Sequence, residues 1–488
     1  MSKENSGNEF TENLALVSLN NLRYEAPESV CATASCNRQQ INFNPNAYNE
    51  AKAGDQPSLL FNVGSSYTDG QKSMIQFTMT LNVDVGAGAA AFFTFGSNEP
   101  DADGNTFYNS GGSVLNILSE VNHQSKSGEL LYRELFKNQT QTTSRLYKID
   151  KSRRGYIGMM GGAQPTNSST IQDLQFPLFP INKPVTFQIP LSELSSFFNT
   201  SQLIPPMLLS GSLLRLTLAD PASAVCLYKA NGTDRADVGS VVRSVNLKSM
   251  VAYLHQSELY DSVNSMLLSS ANSIETNGLQ YAYNTQFNTV FPPNSSTFNF
   301  DIQLSSAKMS NLILKFVKKT KPFISSTPMA AASIYELSSP DANADANSLG
   351  FSVQIRLGNL IVPLFPVSSA CDMYQQTCNA LNPISYSGCD DPDPLKTINK
   401  LQAGAVSYAE YSKVAANGKS GLGTGATLFA FSFERASAVN VSGLSSNNAR
   451  ILSVEVQNMK NASDYLCYAS VTYLQIANVS VDNVVINK

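Results

Sequence analysis

The chain has 488 residues, of which 42% are hydrophobic, 9% aromatic and only 14% charged, with a formal net charge of -4. That length supports two or three domains with sizeable cores. The weakly acidic balance argues against strong nucleic-acid binding, which calls for a basic surface. No run reaches the ~18 apolar residues of a membrane span, so no transmembrane segment is expected.

From the N-terminus, MSKENSGNEF has no apolar core of a secretion signal, and residues 1–39 read as a polar arm. Residues 73–85, SMIQFTMTLNVDV, place Ile75, Phe77, Met79, Leu81 and Val83 on one face at period two, the mark of a half-buried strand. Residues 111–138, GGSVLNILSEVNHQSKSGELLYRELFKN, read as strand, turn, strand and a helix-like end. Val185–Ile189 is a strand, Leu191–Phe198 a short helical piece, and Leu213–Leu218 a returning strand. Ala224–Lys229 and Ser244–Leu254 follow as strands, and Asp261–Ser269 as a short helix. The alternation resumes in STFNFDIQLS with Phe298, Phe300, Ile302 and Leu304. GNLIVPLFPVSSACDMYQQTCN again passes from strand to helix, over Cys371–Leu381. Ala426–Phe433, Arg450–Gln457, Tyr465–Leu474 and Ser480–Ile486 complete the strands.

Loops rich in Gly, Asn, Ser, Asp and Pro separate these segments. The chain therefore reads as all-β with a few short helices. The series Val185–Ile189, Leu213–Leu218, Ala224–Lys229, Ser244–Leu254 parallels the four C-terminal strands in order, so the pattern repeats once. This predicts two consecutive β-sandwiches, residues 40–258 and 276–488, joined by a linker at 259–275. The long irregular connections favour Greek-key jelly rolls over meanders.

Residues that could carry chemistry are sparse. The two histidines, His123 and His255, stand apart from any nucleophile or third group, so both read as structural and no catalytic residue is expected. The cysteines fall at 31, 36, 226, 371, 378, 389 and 467. That is not the paired spacing of a zinc site, so no metal is expected. Cys371 and Cys378 share a helix face and read as small buried hydrophobes, while Cys31 and Cys36 could bridge in an oxidising setting. ANGKSGLGTGAT (416–427) contains a GKS triplet, but Lys413 stands where a phosphate-binding loop needs glycine, so no nucleotide cofactor is expected. The basic clusters, Lys148, Lys151, Arg153, Arg154 and Lys315, Lys318, Lys319, Lys321, read as solvated strand ends. The acidic DANAD and DDPDP stretches lack a calcium-loop pattern, and sequons such as those at Asn138, Asn199, Asn231 and Asn478 read as compositional chance.

One excursion stands out. Between the strands at 185–189 and 213–218, Pro205 and Pro206 stop ladder pairing, yet Leu194, Phe197, Phe198, Leu203, Ile204, Met207 and Leu208 surround them. Such apolar density needs cover. Leu194, Phe197, Phe198, Leu203, Ile204, Pro205, Pro206 and Met207 are therefore expected to form an inter-subunit or inter-domain assembly contact rather than a free loop.

The IPLSELSSFF…IPP…LLRLTLAD series resembles the first jelly roll of double jelly-roll major capsid proteins, in particular those of polinton-like viruses and virophages. SVLNILSEVNHQSKSGELLYRELFKN is similar to that family's early strand-turn-strand and helix, and YLQIANVSVDNVVINK to its closing strand. The family's usual Trp positions are empty, because the chain has no Trp. The resemblance implies two eight-stranded jelly rolls and no enzymatic activity. It implies homotrimers forming pseudo-hexagonal capsomers, which meet neighbouring capsomers, penton and minor capsid proteins. The product would be an icosahedral virion shell around a DNA genome, assembled inside the host cell. The competing reading is a carbohydrate-binding or adhesive double sandwich, since jelly rolls also host lectins.

Overall fold

The computed structural model describes residues 31–40, 55–86, 89–95, 113–138, 158–162, 164–165, 174–175, 177–200, 202–221, 224–232, 236, 240–272, 279–306, 308–318, 348–381, 428–433, 444–446, 451–459, 462–479 and 484–487. Period-two burial makes the strands. From Ser73 to Val83 every second side chain is buried, and Leu452–Gln457 repeats the pattern without a break.

The first half contributes, in chain order, β1 (Cys31–Gln40), β2 (Ser58–Leu60), β3 (Tyr67–Asp84), β4 (Ala90–Thr94), β5 (Leu118–Gln124), β6 (Leu130–Leu135), β7 (Gln164–Pro165), β8 (Leu174–Gln175), β9 (Phe179–Pro180), β10 (Pro184–Pro190), β11 (Leu213–Leu218), β12 (Cys226–Lys229) and β13 (Val241–Leu259). Two single-turn helices, α1 (Leu191–Leu194) and α2 (Pro206–Leu209), lie between β10 and β11, and α3 (Asp261–Asn272) follows β13. The second half contributes β14 (Leu279–Phe291), β15 (Phe298–Ile302), β16 (Met309–Lys318), β17 (Ser348–Leu357), β18 (Leu360–Ser369), helix α4 (Ala370–Leu381), β19 (Leu428–Ser432), β20 (Leu452–Gln457), β21 (Tyr465–Val479) and β22 (Val484–Asn487).

The two halves share one topology. The first sandwich pairs sheet β1-β13-β3-β10 with sheet β2-β11-β5-β6. Counting its eight strands in chain order (β1, β2, β3, β5, β6, β10, β11, β13), the sheets run 1-8-3-6 and 2-7-4-5. The second sandwich pairs β14-β21-β16-β19 with β15-β20-β17-β18. Counted the same way from β14 to β21, these are again 1-8-3-6 and 2-7-4-5. The neighbouring strands in these sheets are antiparallel.

This corrects the alignment of the repeat read from sequence. The long β13 corresponds to β21, not to the C-terminal strand. The segment Ala224–Lys229 yields β12, which joins β4 and β9 in an additional three-stranded sheet, and β22 adds to the end of β21. The first sandwich also begins at Cys31, because β1 pairs with β13, so strand structure enters the stretch read as an arm.

Each sandwich closes on its own apolar interior. Ile75, Phe77, Met79 and Leu81 from one sheet meet Leu59, Val121, Leu131, Leu214 and Leu216 from the other. In the second, Leu312, Leu314, Phe429 and Val471 face Phe298, Val353, Ile355 and Val454. The additional sheet extends the first core through Phe93, Phe95 and Phe179, whose rings pack on each other and on Phe187. The first core also takes in Leu279, Tyr281, Tyr283, Ala477 and Val479 from the second half. A joint between the sandwiches is therefore built from core material.

Candidate assembly site at the joint between the sandwiches

The excursion after β10 builds one side of this joint. Strand β10 ends at Pro190, which starts α1, and the chain tightens into a 3-10 turn at Ser196–Phe198. The Ser195 hydroxyl caps that turn by accepting from the Phe197 N–H at 3.2 Å. Strand pairing resumes for one residue, where Ile204 and Thr68 exchange backbone hydrogen bonds of 2.8 and 3.0 Å. The two prolines then force the turn of α2. The second sandwich does the same at the matching place. Its connection from β19 to β20 returns a bridge from Leu444 to Met309, at 2.8 and 3.1 Å, again at the start of the third strand.

Leu194, Phe197, Phe198 and Ile204 are each 0% exposed. Leu203 and Pro205 are also buried, while Pro206 and Met207 are half-buried. Their apolar demand is met within one chain. Phe198 stacks on His123 at 5.3 Å and contacts Phe61 at 5.7 Å. Its backbone passes so close to Gly70 that a Cβ there would lie 2.6 Å from the Phe198 carbonyl oxygen. Phe197 crosses to the other sandwich, with ring centroids 5.2 Å from Tyr281 and 5.0 Å from Tyr283. Replacing both phenylalanines by serine would therefore disrupt the folded chain itself, before any contact between chains.

Hydrogen bonds lock the same seam. The Tyr281 hydroxyl donates to the Phe197 carbonyl at 2.8 Å, and that of Tyr283 to the Leu131 carbonyl at 2.8 Å. The Asn288 amide donates to the Leu135 carbonyl at 2.9 Å, and the Ser196 hydroxyl to the Asn284 carbonyl at 2.5 Å. Phe136, just past β6, packs edge-on against Tyr468 of β21 at 5.3 Å. Strand β6 thus lies against β14, and the residue that follows it against β21. Behind it, Glu134 accepts from the Tyr132 hydroxyl at 2.5 Å and from the Lys137 ammonium at 2.7 Å, with the Glu and Lys side chains 0% and 2% exposed. Burial, and then the Glu134 charge, push the Tyr132 phenol well above its usual range.

His123 belongs to this packing. The Ser212 hydroxyl donates to the Leu209 carbonyl at 2.7 Å, so the 3.0 Å contact between Ser212 and His123 Nε2 is filled by an Nε2–H donor. Nδ1 is then a bare, buried acceptor without a partner. Burial lowers the pKa of the ring to about 3, so it is neutral across the physiological range. No base function follows from that environment. His255 sits within β13, where its backbone N–H donates to the Ser73 hydroxyl.

Lys315 departs from the sequence reading. It is not a solvated strand end but 0% exposed, in the run Leu312–Phe316 that is buried on both faces of β16. Burial lowers its pKa to about 7. Cys36, Cys226 and Cys467 are free thiols, and the side chain of Cys31 lies outside the described residues. The side chains of Cys371 and Cys378 lie outside the described residues, as do the GKS loop, the cluster at 148–154, DANAD and DDPDP. Among the described residues, no group of three or more His, Cys, Asp or Glu could hold a metal, and no helix is long and apolar enough to cross a membrane.

Comparison with known folds places the arrangement. No family model matches the chain, and no curated protein matches it in sequence. Solved structures do. The Sputnik virophage structure at 3.5 Å matches with a TM-score of 0.53 and 10% identity over 96% of this chain and 91% of that one. The PBCV-1 virus capsid gives 0.52 and 11% over 93% and 97%, and the Faustovirus major capsid protein 0.51 and 8% over 92% and 91%. The chain has the double jelly-roll fold of these capsid structures. In the double jelly roll, β1–β13 form the first roll and β14–β22 the second, with a few short helices in all among the described residues. Sequence reading found the apolar excursion but missed Tyr281, Tyr283 and the buried Tyr132–Glu134–Lys137 group. The alternation of LQYAYNTQF was visible, but nothing in it says that its first turn of strand serves the other roll.

Proposed function

We propose that the chain is a major capsid protein whose three copies close into a pseudo-hexagonal capsomer. Two rolls of identical strand order, fixed to each other by a buried joint, carry the reading. Three such chains give six similar bodies around one axis and leave few sheet edges exposed. The units of this design are residues 31–259 and 279–487, with α3 between them. The strands stand perpendicular to the shell, and capsomers meet each other and penton and minor capsid proteins in an icosahedral virion enclosing DNA. Assembly takes place inside the host cell. The excursion residues Leu194 to Met207 serve assembly by setting the angle between the rolls. The chain acts as a shell component and not as an enzyme.

Native mass spectrometry of the purified protein tests this. A stable trimer with a six-lobed outline in negative-stain micrographs is the expected result. A monomer at every concentration overturns it and favours the carbohydrate-binding alternative.

A further inference from the structure

The strands that form the joint between the rolls have counterparts elsewhere in the chain. Within the chain, the fifth strand of the first roll (β6) lies against the first strand of the second roll (β14), through the Tyr283–Leu131 and Asn288–Leu135 hydrogen bonds. The counterparts of these two strands are β18, fifth in the second roll, and β1, first in the first roll. Both end their sheets. On β18, Leu364 and Phe365 are 78% and 81% exposed, the two most exposed large apolar side chains among the described residues. On β1, Ser35, Cys36, Asn37 and Arg38 are all exposed, so side chains on both faces of that strand are open.

The local geometry makes the pair a projection rather than an extended edge. Val353 pairs with Val367 and Ile355 with Val362, so Gln354 alone faces Pro363, Leu364, Phe365 and Pro366. The extra residues bulge out of the sheet. A proline on each side lacks the N–H that an added strand would need. The site therefore excludes strand addition and offers two apolar side chains instead.

We propose that the Leu364–Phe365 bulge of one chain packs against the β1–β13 face of a second copy, repeating between chains the contact that β6 makes with β14 within one. The partner is a second copy because its first roll presents the uncovered equivalent of the surface that β6 covers. The contact is heterologous, and a closed ring satisfies every copy. This inference rests on the capsid reading and names the surface that reading needs.

Two experiments test it. A photo-reactive p-benzoylphenylalanine replacing Phe365, in oligomers mixed from isotopically light and heavy chains, should give light–heavy adducts on residues 31–40 or 241–259. Leu364→Ser with Phe365→Ser should leave the melting of the isolated chain unchanged, because both side chains are exposed there, and weaken trimerisation by at least about tenfold. A trimer whose adducts all fall elsewhere, or whose affinity survives the double substitution, overturns this contact and leaves the capsid reading standing. A native chain that never associates overturns both.

Discussion

Phe197→Ala is the sharpest perturbation of the joint. The ring is 0% exposed and touches four others: His123 at 4.8 Å, Phe198 at 5.1 Å, Tyr281 at 5.2 Å and Tyr283 at 5.0 Å. Truncating a buried Phe costs about 3–5 kcal/mol, from lost transfer energy plus the cavity left behind. The site sits at the upper part of that range. Its walls are rings and hydrogen-bonded tyrosines from two rolls, and they do not collapse readily. The loss should be local. Hydrogen exchange should accelerate in 130–135 and 279–291, the two strands hydrogen-bonded to each other beside the ring, while 451–457 in the second core stays protected. With no Trp and 20 Tyr in the chain, tyrosine emission follows urea unfolding of the whole chain. Phe316→Ala, in the second core, is the control and should spare 130–135. A Phe197→Ala protein within about 1 kcal/mol of the parent, with unchanged exchange at both strands, would refute the view that this ring couples the rolls.

Other outcomes follow from buried groups. The pKa of His123 falls to about 3 on folding, so the unfolded chain takes up its proton first as pH drops below its ordinary 6.5. Stability should fall toward pH 3 by at most about 1.4 kcal/mol per pH unit from this group, and His123→Gln should flatten that slope in urea titrations. Lys315 has the same sign at higher pH. Its folded pKa of about 7 lies below the ordinary 10.5, so stability should rise between pH 7 and 10.5. Lys315→Met should remove that rise and stabilise the protein at pH 7, as seen by thermal melting. Gly70→Ala drives a Cβ toward the Phe198 carbonyl and should cost about 1–3 kcal/mol by denaturant midpoint.

The strands were legible because burial on one face writes itself into the sequence at period two. Ile75 to Val83 and Phe298 to Ile302 could be placed from that alone. The short helices after Pro190 and from Ala370 were equally plain. Strand order was harder. The pairing of β13 with both β1 and β3 depends on contacts across some two hundred residues, and no local period encodes it. Short apolar strands also look alike, which is why β12 stood in for β13 as the counterpart of β21 in the repeat. Lys315 misled for a related reason: a lysine in a charged run signals solvent, and only the second sheet face shows that this one is enclosed. The density of the excursion announced a need for burial, but not that Tyr281 and Tyr283 would meet it.

The strand order has a consequence for how the chain is made. In each roll the eighth sandwich strand occupies the interior of its sheet: β13 between β1 and β3, and β21 between β14 and β16. Neither sheet can zip from its N-terminal strands outward as the ribosome delivers them. The sheet β1-β13-β3-β10 therefore lacks its second strand until residues 241–259 have emerged. Tyr281 and Tyr283, which pack on Phe197, follow β13 in the chain. Strand order thus delays closure of the first sheet in each roll until its eighth strand has been made.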